Sequence, residues 1–341
     1  MTTQRYRALA LQTACHAVND HVDTPAARDA INESIDRIHK ETIAAKRTIG
    51  QDLRLVVLPE YVLTGPPMGE PLPVWAERAA LDPDGPEYRR LGQLASDADV
   101  YLAVNAYETD PHFPDVYFQG CVILGPDGRR VLHYRRLHSM WTVSPHDVLD
   151  RYLEIYGEDS LFPVADTEIG RLAPIASEEI LFPELARCFA MRGAEVFVHS
   201  SSEISSALLS PKNVAKLARA IENSAYVVSA NTAGVFGTAL PPASADGSSK
   251  VVDFRGSVLA EAALGSSMAA HAEIDLASLR AFRRRISMDN LLVRQRFDLY
   301  APTYARTSVH PVNNIDGVPE RSHFREVQAS VIDRLAADGI I

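Results

Sequence analysis

The chain has 341 residues, 46% hydrophobic and 23% charged, with a net charge of -10 at neutral pH. This length and composition allow one large α/β domain or two smaller ones, with a core that forms without disulfides or metal. The acidic balance argues against a nucleic-acid-binding surface and fits a cytoplasmic enzyme.

Cys15, Cys121 and Cys188 are odd in number and lack CxxC spacing, which disfavours a disulfide framework or a structural zinc site. The N-terminal stretch MTTQRYRALALQTACHAVND lacks the apolar run of a secretory signal. The longest uncharged stretch, Asn223 to Ala245, is broken by Asn231, Gly234, Gly237, Pro241 and Pro242, so it does not read as a membrane span.

Tyr6 to Thr13 reads as a first strand, with Ala8, Ala10 and Gln12 alternating against Leu9 and Leu11. Thr24-Pro25 offers an N-cap and a first-turn proline for a long helix toward Arg47, with Ile31, Ile35, Ile38 and Ile43 at helical spacing. Leu53 to Leu58 is a short strand ending at Pro59-Glu60, and Val100 to Ala106 is another. Tyr117 to Leu124 and Arg130 to Arg135, joined by Gly125-Pro126-Asp127-Gly128, predict a β-hairpin.

Leu172 to Ala176 predicts a strand, and a helix follows from Phe182-Pro183-Glu184 to Gly193. Ser177 therefore sits where a strand gives way to a turn ahead of a helix, a place that presents one side chain at the rim of a sheet. Glu195 to His199 is a buried strand. Ser210-Pro211 caps the next helix, whose expected apolar face is Val214, Leu217, Ala218 and Ile221. Tyr226 to Ala230 and the strand-turn-strand pattern at Val251 to Leu259 complete the body. The tail from Tyr300 holds Pro302, Pro311 and Pro319 and ends in a short helix, Phe324 to Ala337. No internal repeat is visible. Alternating strands and helices make the class α/β.

Three segments carry a resemblance: LRLVVLPEYVLTG from Leu53 to Gly65, HYRRLHSMW from His133 to Trp141, and GRLAPIASEEILFPELAR from Gly170 to Arg187. In order and at suitable distances, they resemble the nitrilase (carbon-nitrogen hydrolase) superfamily. GPDG at Gly125 to Gly128, RAIENSAYVVSANTAG at Arg219 to Gly234 and FDLY at Phe297 to Tyr300 extend the match. The resemblance implies a four-layer α-β-β-α sandwich over residues 1–299. It also implies a C-terminal extension, 300–341, that crosses to a partner in a homodimer or higher homo-oligomer.

In that family a glutamate takes the proton of a cysteine thiol, the thiolate attacks an amide or nitrile carbon, and a lysine steadies the oxyanion. Glu60 matches the glutamate. Arg136 stands at the lysine position and Ser177 at the cysteine position. A serine hydroxyl is far less acidic than a thiol, and serine hydrolases place a histidine beside it. His138 and His199 are the candidates. Arg136 keeps a positive charge and a planar fork of donors, which suits an oxyanion, a ligand carboxylate or a salt bridge to Glu60 or Glu179.

Ser177 has three readings: a natural serine in a divergent enzyme, the mark of a natural pseudoenzyme, or an engineered Cys→Ser change. The second departure, at Arg136, favours natural divergence. Glu179 matches an acidic position two residues beyond the family nucleophile and organises the loop there. With His138, His199 and Ser201 it forms the expected substrate-binding set. The family's additional glutamate maps to Asp147, Asp150 or Glu154 without a unique alignment, and Cys15 and Cys188 read as packing residues. Glu184 suits a helix start.

The expected function is that of a carbon-nitrogen hydrolase-like protein acting on a small amide-type substrate through Glu60, Arg136 and Ser177. The alternatives are a catalytically inactive ligand-binding or scaffold protein on the same fold, or a Cys→Ser variant of an active amidase. No cofactor, metal, nucleic acid or membrane is implied.

Overall fold

Alternation along the first strand sets the architecture. Tyr6, Ala8 and Ala10 fall on one face of Arg5–Ala10 and join one core, while Leu9, with Leu11 just beyond, joins a second. The small alanines face the other sheet, and this strand lies directly against Tyr226–Ala230. The computed structural model describes residues 4–21, 23–203 and 210–341.

Two six-stranded sheets stack face to face. The first runs, in spatial order, His271–Asp275, Arg5–Ala10, Leu53–Val57, Tyr101–Thr109, Tyr117–Leu124 and Arg130–Arg135. The second runs Val258–Glu261, Lys250–Val252, Tyr226–Ala230, Val196–Ser200, Gly170–Ala176 and Ala165–Thr167. Each has a parallel central trio with antiparallel strands on both sides. The two halves thus share a pairing pattern that no sequence repeat betrays.

Thr24–Ile49, Leu72–Ala79 and Pro86–Ala98 cover the outer face of the first sheet. Pro183–Met191, Pro211–Asn223 and Leu276–Arg284 cover the second. The four-layer α-β-β-α sandwich is therefore present. No helix among the described residues is long and apolar enough to cross a membrane.

Three local expectations change. The first long helix is capped by Asp23, whose carboxylate accepts from Ala26 N at 2.8 Å, with Thr24 already helical. The first strand stops at Ala10, and Gln12 instead pairs in an isolated bridge with Ser267. In Pro211–Asn223 the expected apolar face is only partly inward: Val214 is 50% and Ile221 43% exposed, Leu217 packs half-buried on the core, and Ala215 and Ala220 are buried together with Asn213, Lys216, Arg219 and Asn223. The buried polar side chains are held because they meet polar partners. Lys216 pairs with Glu203, Arg219 Nε donates to Ile180 O at 2.9 Å, and Asn223 Nδ2 donates to Arg219 O at 2.9 Å.

The extension folds back over its own chain. A helix, Phe297–Arg306, precedes the Arg321–Ala337 helix. Arg321 donates to Glu70 O and Trp141 O, each at 2.6 Å, and Ile315 and Phe324 pack onto the first-sheet core.

Candidate active site

Both sheets end in a turn with a left-handed residue. Beyond Leu53–Val57 the chain passes Glu60 to Tyr61 at φ +37°, and beyond Gly170–Ala176 it enters Ser177 at φ +50°. A side chain in this region costs on the order of 1–3 kcal/mol, which the surrounding contacts must offset. Glu60 N donates to Ser201 O at 3.2 Å, which ties the first-sheet turn to the segment after Val196–Ser200.

Glu60 is buried. Its Oε1 accepts from Gln119 Nε2 at 2.9 Å and from Arg136 Nη1 at 3.2 Å. Gln119 Nε2 also reaches Asn105 Oδ1 at 2.9 Å, and Gln119 Oε1 accepts from Arg136 Nη1. The Arg136 guanidinium is 7% exposed, donates through Nε to His138 O at 2.6 Å, and pairs through Nη2 with Glu178. One cation thus meets two carboxylates, Glu60 and Glu178. Glu179, which sequence offered as its salt-bridge partner, is engaged elsewhere.

Glu179 is fully buried and orders the turns on both sides of it. Its Oε1 accepts from Leu137 N at 2.8 Å and His138 N at 3.0 Å, and Tyr134 OH donates to both oxygens at 2.8 Å. A carboxylate so saturated has no capacity left for a substrate. It fits the loop-organising role rather than the binding role of the expected set.

Ser177 is 3% exposed, and the hydrogen-bond partner of its Oγ among the described residues is Lys212 Nζ, at 3.1 Å. His199 is completely buried behind it, not at a pocket rim. His199 Nε2 lies 2.9 Å from the Ser177 carbonyl oxygen and Nδ1 2.8 Å from Ser229 Oγ. A carbonyl only accepts, so Nε2 carries the proton and Nδ1 accepts from Ser229. Burial, with the Lys216 charge nearby, holds this imidazole well below its usual range and neutral. His199 therefore fixes the Ser177 backbone and does not address the hydroxyl. His138 stacks on Phe182 at 4.0 Å and lies 3.4 Å from Glu179 Oε1. Ser201 is buried, with Oγ unpartnered among the described residues.

Beneath Lys212 on the same helix, Lys216 pairs with buried Glu203. Burial pushes the Lys216 ammonium down to about 8 against the pull of that carboxylate. Of the three acids considered for an additional glutamate, Asp147 is bound to Ser144 and Asn314, and Asp150 and Glu154 are exposed. The second carboxylate on Arg136 is Glu178. No cysteine substitutes for Ser177: burial pushes the Cys15 thiol up to about 12 and raises Cys121 further, and Cys188 is half-buried on Pro183–Met191.

A cavity of about 650 Å³ opens beside Glu178, with Ser177 and Lys212 set back from its lining. Its apolar wall includes Leu137, Met140, Leu161, Phe162, Phe182 and Phe324. His138 and Glu178 also line it, so Glu178 stands between the cavity and Arg136.

Gln119, Glu178 and Lys212 were not singled out from sequence. Glu178 lay inside the quoted Ser177 segment. Lys212 carried a usable signal: it stands in the first turn of a helix capped by Ser210, where the macrodipole disfavours a cation, so a specific partner was to be sought. Gln119 offered none, because its neighbours come together only when the hairpin joins the sheet.

The sequence profile described as Carbon-nitrogen hydrolase matches residues 9–284. The chain belongs to this family. It is 24% identical over 266 residues to human omega-amidase NIT2, covering 78% of this chain and 91% of the relative. It is 28% identical over 194 residues to a formamidase of Helicobacter acinonychis, covering 57% of this chain and 54% of the relative. Among solved structures, the carbon-nitrogen hydrolase of Helicobacter pylori G27 superposes with a TM-score of 0.66 at 21% identity, covering 89% of this chain and 99% of the other. Saccharomyces cerevisiae Nit3, of the nitrilase superfamily, gives 0.62 at 22% identity, covering 84% and 96%. Residues 285–341, which include the extension that walls the cavity, lie beyond the family match.

Proposed function

We propose that the protein hydrolyses the carbon-nitrogen bond of a small neutral carboxamide through Ser177, with Lys212 as its proton partner. The observation that carries this reading is the 3.1 Å contact between Lys212 Nζ and Ser177 Oγ, on a left-handed turn fixed from behind by His199. As an ammonium Nζ donates to Oγ; as an amine it accepts the hydroxyl proton, the logic of a serine-lysine pair.

The steps balance. Oγ forms a bond to the carbonyl carbon as its proton passes to Nζ. The carbon-nitrogen bond then breaks, and the proton moves from Nζ to the departing nitrogen. Water next gives a proton to Nζ and its oxygen to the ester carbon; the carbon–Oγ bond then breaks, and Nζ returns that proton to Oγ, releasing the acid and restoring the hydroxyl. In this reading Glu60, Gln119, Arg136 and Glu178 form a fixed charged wall beside the reacting carbon. Arg136 faces two carboxylates and therefore adds orientation more than free positive charge.

The apolar cavity supports an apolar acyl group, and Glu178 at its inner wall disfavours a substrate carboxylate. The relatives named omega-amidase and formamidase support the amide class. A panel of neutral carboxamides graded by acyl size, assayed for ammonia or amine release, tests the reading. Turnover lost in both Ser177→Ala and Lys212→Met is expected. Turnover surviving in Ser177→Ala would contradict it.

A second reading, ligand binding without turnover, draws on the commitment of the whole Arg136 guanidinium to protein partners. Saturable amide binding with no product would favour it.

A further inference from the structure

The cavity that Glu178 lines also holds a cluster that the amide chemistry does not use. His146 and Asp147 lie in the short turn Pro145–Val148, and His310 reaches them from the C-terminal extension. One ligand-type atom from each residue lies within 4.8 Å of the other two. Donors about 2.0–2.2 Å from a zinc-like ion stand about 3.3 Å apart, so modest side-chain rotation closes the set.

Asp147 and His310 already have hydrogen-bond partners outside the cluster. Asp147 Oδ2 accepts from Ser144 N and Ser144 Oγ, both at 2.8 Å, and Oδ1 accepts from Asn314 Nδ2 at 2.9 Å. Asn314 Oδ1 is in turn 2.8 Å from His323 Nε2. His310 Nδ1 lies 3.2 Å from the Pro311 carbonyl oxygen, which places the proton on Nδ1 and leaves Nε2 with its lone pair. Such partners fix tautomer and carboxylate orientation around a bound ion.

We infer that His146, Asp147 and His310 bind one late first-row divalent cation of the zinc, cobalt or nickel class, fastening the C-terminal extension to the body. Two imidazoles with one carboxylate suit these ions better than calcium or magnesium, which take oxygen ligands. All three residues line the cavity, so the remaining coordination position faces it and is open to water or a ligand.

The test is an optical titration of the metal-stripped full-length protein with Co²⁺, followed by displacement with Zn²⁺. One equivalent of Co²⁺ with visible ligand-field bands, lost on adding Zn²⁺, is expected. His146→Ala and His310→Ala should each weaken binding about tenfold or more, and His271→Ala, remote from the cluster, should not. Both target side chains are at least partly exposed, and circular dichroism checks that the variants are folded. Zn²⁺ should also slow hydrogen exchange across residues 309–328 in the parent but not in His310→Ala. Absence of a saturable Co²⁺ signal at millimolar metal, or binding indifferent to both substitutions, would overturn the inference.

Discussion

At the end of the first sheet, Glu60, Gln119 and Arg136 meet Glu178 in a cluster whose known donors all point at protein acceptors. At the end of the second, Ser177 has a hydroxyl whose partner among the described residues is Lys212, from a helix N-terminus. The first arrangement is costly to disturb and hard to redirect, because a buried pair that loses one member leaves an uncompensated charge. The second is lightly bonded among the described residues, although both turns carry a left-handed residue, Tyr61 on the first side and Ser177 on the second. Under the proposed mechanism, the first cluster supplies rigidity and the Ser177–Lys212 contact the reactive hydroxyl.

Substitutions at Ser177 and Lys212 should separate the two sides most sharply. Ser177→Ala should lower kcat for the best amide on the order of 10⁴-fold or more, with little change in unfolding free energy. Lys212→Met should cost about 10²–10⁴-fold, the usual range for a lost acid-base group. Arg136→Met should behave in the opposite way. It leaves Glu60 and Glu178 without their cation, so urea unfolding should show a loss of about 3–5 kcal/mol. A variant of unchanged stability would move Arg136 to the reactive side.

Lys216 gives a pH test of the support beneath Ser177. Its folded value near 8 lies below the ordinary lysine value of about 10.4. Between those values the unfolded chain binds the proton more tightly, so unfolding free energy should rise as pH climbs through that window and stay flat below it. Lys216→Met should remove this rise when the two proteins are compared by denaturation at several pH values. The smallest effect is expected at Asp23→Ala, far from both clusters: about 1 kcal/mol of stability for the lost helix cap, with kcat unchanged.

Much of the fold was legible because its strands alternate cleanly, as Ala8 and Ala10 against Leu9 show, and because the Gly125–Gly128 turn announces its hairpin. The helix Pro211–Asn223 was misread because hydrophobic periodicity assumes that burial is apolar. Here the inner face mixes Ala215 and Ala220 with Lys216 and Arg219, whose partners Glu203 and Ile180 lie outside the helix. The site was half legible for the same reason. Glu60, Arg136 and Ser177 stood out through the resemblance, and Glu60 and Arg136 are in contact. Lys212 and Gln119 reach them only through tertiary folding. The metal-type cluster was invisible because cysteine spacing says nothing about His146, Asp147 and His310, which the extension assembles.

The central claim is that the Ser177 hydroxyl is activated by Lys212. Incubation with an activated p-nitrophenyl ester of an apolar acid, followed by peptide mass spectrometry, tests it most directly. Acylation at Ser177 in the parent, strongly slowed in Lys212→Met, is the predicted result. No adduct at Ser177, or equal labelling rates in the two proteins, would contradict it.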